Sequence, residues 1–145
     1  MVFSKACEYG IRATVYIARQ SLNQNRASLK DISKEIDSPV AFTAKILQEL
    51  VRHGIINSVK GATGGFEADL KKMRKTKLMD IIVAIDGGLD DNMCILGLKK
   101  CSAVHPCPVH HKYKSIRKDF QKMLNTTSLS EMSYSLKDGL SWLKI

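Results

Sequence analysis

The residues best equipped for chemistry lie late in the chain, in the stretch CILGLKKCSAVHPCPVHH. It holds Cys94, Cys101 and Cys107, with His105, His110 and His111 beside them. Thiolates are soft ligands that suit iron–sulfur clusters or Zn(II). Structural zinc sites usually draw ligands from closely spaced pairs. Here six and five residues separate the cysteines, which resembles no such clip, although Cys107 and His110 have the closeness of one. A wide loop donating three thiolates around a larger cluster, [2Fe–2S] or [4Fe–4S], is the more natural reading, and zinc the less natural. The fourth ligand stays open between His110, another histidine and a carboxylate from elsewhere. Pro106 and Pro108 stiffen the backbone around Cys107 and keep it from being helical. Reduced thiols without a metal are an alternative. A cysteine hydrolase would need a nucleophile, a base and an orienting group in register, and no one pair is singled out.

The elements that surround this loop begin with residues 28–66, which read as helix, tight turn, helix and glycine-tipped hairpin. Leu29, Ile32 and Ile36 share one helical face, and Ser28 with Asp31 forms a capping pattern. At Asp37-Ser38-Pro39 one helix stops and the next starts, with Ser38 as cap and Pro39 in the first helical position. The second helix turns Phe42, Ile46, Leu47 and Leu50 inward. That leaves Ala41, Thr43, Ala44, Lys45, Gln48 and Arg52 facing out, a surface suited to a major groove. Gly54 ends the helix. Residues 55–59 and 66–68 then form two short strands around KGATGG, a wing with Lys60 at its base. A helical core with an idle surface hairpin, or a partner-binding module, is the bland alternative; the wing directly after the second helix favours DNA.

The whole chain is consistent with that. Its 145 residues make one domain with a dimerisation appendage, and its net charge of +9 and pI near 9.5 suit a polyanion. It has no long apolar run, and its N-terminal residues lack the apolar core of a signal peptide. A cytoplasmic protein with no membrane partner is expected, so the four cysteines are thiols or metal ligands rather than disulfides. Residues 4–20 form a first helix, with Tyr9, Ala13, Tyr16 and Ile17 in one stripe and Ile11, Val15 and Ala18 free for a second contact. Residues 70–77 are a basic connection, and 78–85 a short buried helix capped by Thr76. Residues 109–124 form an amphipathic helix suited to dimerisation, its apolar stripe running from Val109 through Tyr113, Ile116, Phe120 and Met123 to Leu124. A last short helix follows Ser128, Gly139 stops it, and Trp142 anchors the tail.

These features together resemble the Rrf-two family of winged-helix transcriptional regulators. The resemblance rests on SKACEYGIRA at the start, SLKDISKEI, the LVRHGIINSVKGATGGF wing and the three-cysteine loop, in that order. It implies a mainly α fold with a small β-hairpin wing: a winged helix-turn-helix over residues 1–88, a cysteine-rich sensor loop over 89–111, and a dimerisation helix and tail over 109–145. It also implies a homodimer on a roughly palindromic double-stranded DNA operator, its two recognition helices one turn, ~34 Å, apart. Lys60 stands where relatives place a wing residue in the minor groove, and residues 41–45 where the recognition helix meets DNA; Thr43, Lys45 and Gln48 are the expected contacts, with Ala41 beside them. Cluster-binding members use the three loop cysteines and one further ligand. That ligand is either a histidine just beyond the third cysteine, matched by His110, or an acid in the first helix of the other subunit, matched by Glu8. The implied function is that of a homodimeric repressor sensing redox, nitric oxide or iron–sulfur status. The alternative is a cluster-free regulator responding to a thiol, small molecule or partner protein. Three departures from the family pattern touch these sites: one extra residue between Cys94 and Cys101, Thr63 in place of a basic wing residue, and Ala44 in place of a glutamate.

Overall fold

A computed structural model describes residues 2–144. Six helices and one hairpin follow each other as α1 (Lys5–Leu22), α2 (Leu29–Glu35), α3 (Val40–Arg52), β1 (Asn57–Val59), β2 (Gly65–Glu67), α4 (Leu78–Asp86), α5 (His110–Thr126) and α6 (Leu129–Lys137). A 3-10 turn, Lys72–Arg74, lies between the hairpin and α4.

α1 is apolar on three sides, and each side meets a different partner. Ala13, Tyr16 and Ile17 join Ile32, Ile36, Ile46, Leu47, Leu50 and Ile81 in the main core. Val15 and Ala18 pack with Met73 and Leu129, so the second apolar side predicted for this helix is covered by α6 and the 3-10 turn of the same chain. Cys7 meets Ile82 of α4 and Leu124 of α5.

Local signals fix most helix ends. Ser4, Ser28 and Ser128 each accept a backbone N–H from three residues on, satisfying orphan donors of the first turn. Gly87, with φ of 78°, closes α4 in the left-handed conformation that costs glycine little. Two expected caps are displaced. α3 starts from Pro39 with no side-chain cap, and the Ser38 hydroxyl is buried without a partner. α4 starts from Lys77, whose N–H is taken by Asp80, because Thr76 donates its hydroxyl back to the Lys72 carbonyl instead. Trp142 is 76% exposed and anchors nothing; Leu143 beside it packs against the core.

The hairpin pairs Ser58 with Phe66 in an antiparallel register. Ala27 bridges the other edge of β2 through reciprocal backbone bonds with Phe66 (3.0 and 2.8 Å). The far end of α5 is pinned to the start of α4, the Leu78 N–H donating to the Thr127 carbonyl and the Leu129 N–H to Thr76. Leu47 is fully buried where α3 meets the core, so Leu47→Ala is expected to cost about 2–5 kcal/mol, read as a lower urea midpoint. Trp142→Ala should stay within about 0.5 kcal/mol.

Candidate nucleic-acid interface and cysteine site

The helical period decides what α3 can present. Its buried positions are Thr43, Ile46, Leu47 and Leu50, the i, i+3, i+4, i+7 stripe of one face. The expected inward Phe42 and outward Thr43 are therefore exchanged. Thr43 is 0% exposed, and its hydroxyl is satisfied by donating to the Pro39 carbonyl at 3.0 Å, which removes the cost of burying it. Phe42 is 36% exposed and lies edge-on to Tyr9, ring centres 5.8 Å apart. Thr43 cannot meet a base edge. Ala41, Lys45, Gln48 and Arg52 do face out, with Ala44 half-buried. Lys60 is exposed at the base of the wing tip, which closes through the Gly64 N–H on the Gly61 carbonyl (3.0 Å). A shallow depression lined by Ala44, Gln48, Arg52, Ser58 and Phe66 separates helix from wing. Arg52 is paired with Glu49. Among the described residues neither Lys45 nor Lys60 has a carboxylate within ion-pair distance, so both charges are free for phosphates.

The cysteine loop is held on α5. Asp91 accepts from Gln121, and the Cys101 N–H donates to the Asn92 carbonyl at 2.7 Å. The Cys101 sulfur lies 3.3 Å from His110 Nδ1, and His110 is buried at the first position of α5. Cys94 is buried too, and its sulfur receives the backbone N–H groups of Leu96 and Leu98, with the Cys107 thiol adjacent. Those amides, foremost that of Leu96, hold the Cys94 thiol below its usual range, against the upward pull of burial. Gly97, with φ of 76°, makes the turn that aims them.

The donors thus come together as two pairs, Cys94 with Cys107 and Cys101 with His110. Among the described residues no group of three or more His, Cys, Asp or Glu is arranged to hold one metal ion. As a donor set, three thiols and one imidazole beside a helix N-terminus suit an iron–sulfur cluster, since amide N–H groups and the helix dipole both favour thiolates. His105 and His111 are exposed and stand outside both pairs. Glu8 sits in the first turn of α1, paired with Lys5 at 3.4 Å.

Two contacts near the interface escaped the reading of the sequence. Arg26 reaches Glu67 and the Thr63 carbonyl across the wing, and Tyr9 lies between the cations of Lys5 and Arg12. The first joins residues forty-one apart, with no local pattern to announce it. The second follows a helical spacing on α1 that could have been read.

A helix-turn-helix followed at once by a basic hairpin defines the winged-helix class of transcription regulators. Residues 3–135 match the Rrf2 family, described as iron-dependent transcriptional regulators, and the chain belongs to that family. A protein of Aquifex aeolicus named as an HTH-type transcriptional regulator is 34% identical over 135 residues, covering 91% of each chain. The regulator IscR of Xenorhabdus nematophila is 23% identical over 124 residues, or 86% of this chain and 74% of that one. Among solved structures, CymR, the global cysteine regulator of B. subtilis, has the same fold, with a TM-score of 0.75 at 18% identity over 92% of this chain and 97% of that one. T. potens IscR gives 0.69 at 19% identity, over 99% and 94%. The relatives are regulators rather than enzymes. No helix among the described residues is long and apolar enough to cross a membrane.

The cysteines are chemically unequal. Burial, the Asp86 charge, a hydrogen bond to Asp86 and the charge of Glu8 push the Cys7 thiol from 9.0 up to about 12. It stays neutral at pH 8, and the stability tied to that neutral thiol is lost only as pH climbs from about 9 towards 12, where the unfolded chain ionises first. Alkylation at pH 8 should therefore label Cys101 and Cys107, which are half-buried, well before Cys7. Peptide mass spectra showing Cys7 modified at the rate of the loop cysteines would contradict its burial.

Proposed function

We propose that the protein is a homodimeric DNA-binding repressor whose cysteine loop holds an iron–sulfur cluster and reports redox, nitric oxide or iron–sulfur status. The observation that carries this is the contact of Cys101 with His110 on the three-cysteine loop, in a member of this family. Three thiols and one imidazole are a donor set that would hold either a [2Fe–2S] or a [4Fe–4S] cluster. His110 is preferred to Glu8 as fourth ligand because it already touches Cys101, whereas Glu8 is engaged by Lys5. When bound, the cluster supplies a centre whose oxidation or loss changes the charge and order of the loop. The residues themselves orient and shield: Leu96 and Leu98 amides hold the Cys94 sulfur, and Asp91 with Gln121 fixes the loop to α5.

Lys45, Gln48 and Ala41 then face the major groove and Lys60 the minor groove. α5 leaves Ile116 (63% exposed) and Met123 uncovered, with Tyr113 and Phe120 half-buried on the same helix. Pairing that stripe across a two-fold axis gives the dimer, and a two-fold dimer implies a roughly palindromic operator. A cluster-free regulator is the second reading, and the lack of three converging donors among the described residues favours it.

Anaerobic purification decides between the two. A brown protein with stoichiometric iron and sulfide, its colour lost in Cys101→Ala and weakened in His110→Ala, is expected; a colourless protein favours the second reading. Lys45→Ala and Lys60→Ala should each weaken retention of duplex DNA and lower the slope of log affinity against log salt by about 1. Ile116→Asp should turn a dimer into a monomer in sedimentation, and a wild-type chain that sediments as a monomer would remove the dimer from the proposal.

A further inference from the structure

The base of the wing is seated on the body of the protein, with Phe66 packed against the main core. Backbone bonds tie Phe66 to Ala27, but the tip beyond Val59 bonds mainly to itself, and both Gly61 and Gly65 have positive φ (108° and 140°). One side chain spans the gap. Arg26 Nη1 donates to the Thr63 carbonyl at 3.1 Å, and its Nε donates to Glu67 at 3.0 Å. A guanidinium is a planar fork, so fixing one edge on a carboxylate orients the rest. Glu67 orients Arg26, and Arg26 holds the tip. Backbone packing agrees with a fixed wing: a Cβ on Gly65 would lie 2.7 Å from the Ala27 carbonyl oxygen, and one on Gly64 2.1 Å from that of Val59.

We infer that Arg26 is a positioning residue for DNA binding, held by Glu67 and acting through the Thr63 carbonyl to aim Lys60 at the groove. The inference rests on the winged-helix reading of Lys60 given above. It differs from a plain phosphate contact by Arg26 in a way that charge alone separates. Glu67 is an acid close to the DNA-facing surface, and removing its charge should by long-range electrostatics tighten binding to a polyanion. If Glu67 orients Arg26, its removal does the opposite.

The test uses the full chain and a duplex enriched by it from a random-sequence pool. Arg26→Ala is expected to weaken retention about ten-fold, the scale of one charge-assisted hydrogen bond. Glu67→Gln should also weaken it, by about three-fold, the scale of an exposed ion pair. Arg26→Lys keeps the charge but not the fork, so it should lose most of what Arg26→Ala loses. In the Arg26→Ala background, Lys60→Ala should cost much less than it does alone, because the wing is already misplaced. Thermal melting of Arg26→Ala and Glu67→Gln should stay near that of the unaltered protein, since both side chains are more than a third exposed. The inference is overturned if Glu67→Gln binds as well as or better than the unaltered chain, or if the Arg26 and Lys60 losses simply add. An unaltered chain that is not retained on any duplex instead overturns the DNA-binding reading itself.

Discussion

The burial of α1 on three sides is the constraint from which the rest follows. One face, through Ala13 and Ile17, holds the helix-turn-helix; a second, through Val15 and Ala18, holds α6; the third, through Cys7, meets α4 and α5. A helix used this way leaves little room for bulk. Gly10 shows the limit: a Cβ there would lie 2.0 Å from the Ile85 side chain. Because α2 and α3 share their core with α1, the angle at which α3 presents Lys45 and Gln48 is tied to that packing. The winged domain and the loop-bearing helices are thus two sides of one packed unit.

How far this could be read from residues alone depends on the range of each interaction. Short-range signals translated in part: Ser28 and Ser128 cap, and Gly54 and Gly139 end helices with positive φ, whereas the caps expected of Ser38 and Thr76 are displaced. The mainly helical fold with its wing followed from such signals, and the CymR fold bears it out. The exchange of Phe42 and Thr43 arose because residue type was allowed to outweigh period. Phe42 is apolar but lies off the stripe of Ile46, Leu47 and Leu50, while Thr43 lies on it and disposes of its hydroxyl locally. Trp142 misled for the same reason, since size alone does not bury a side chain.

The cysteine loop divides along the same line. Its donors were legible as types and spacing, and the contact of Cys101 with His110 brings two of them together. Their arrangement was not legible, because it depends on Gly97 turning the Leu96 and Leu98 amides onto one sulfur and on Gln121 holding Asp91. None of these is a donor, and none belongs to a ligand spacing. The Arg26 strut on the wing is a similar case: its partners are close in space, remote in sequence and ordinary in type.

The joint between the loop and the winged domain is small and polar. Asp86 closes α4 immediately before Gly87 and Gly88, where the chain leaves for the loop, and it accepts both the N–H and the hydroxyl of Ser4. Ser4 is also the cap of α1. A rearrangement of residues 89–109 that shifts Asp86 must therefore either break its bonds to Ser4, the cap residue of α1, or carry α1 with it. Beneath this joint lies the neutral Cys7, whose thiol is kept protonated partly by Asp86 itself. Under the proposed function a loop ligand biases the position of α1 only by the difference in its affinity for two positions of this joint. Under that proposal α3, which shares its core with α1, moves with it.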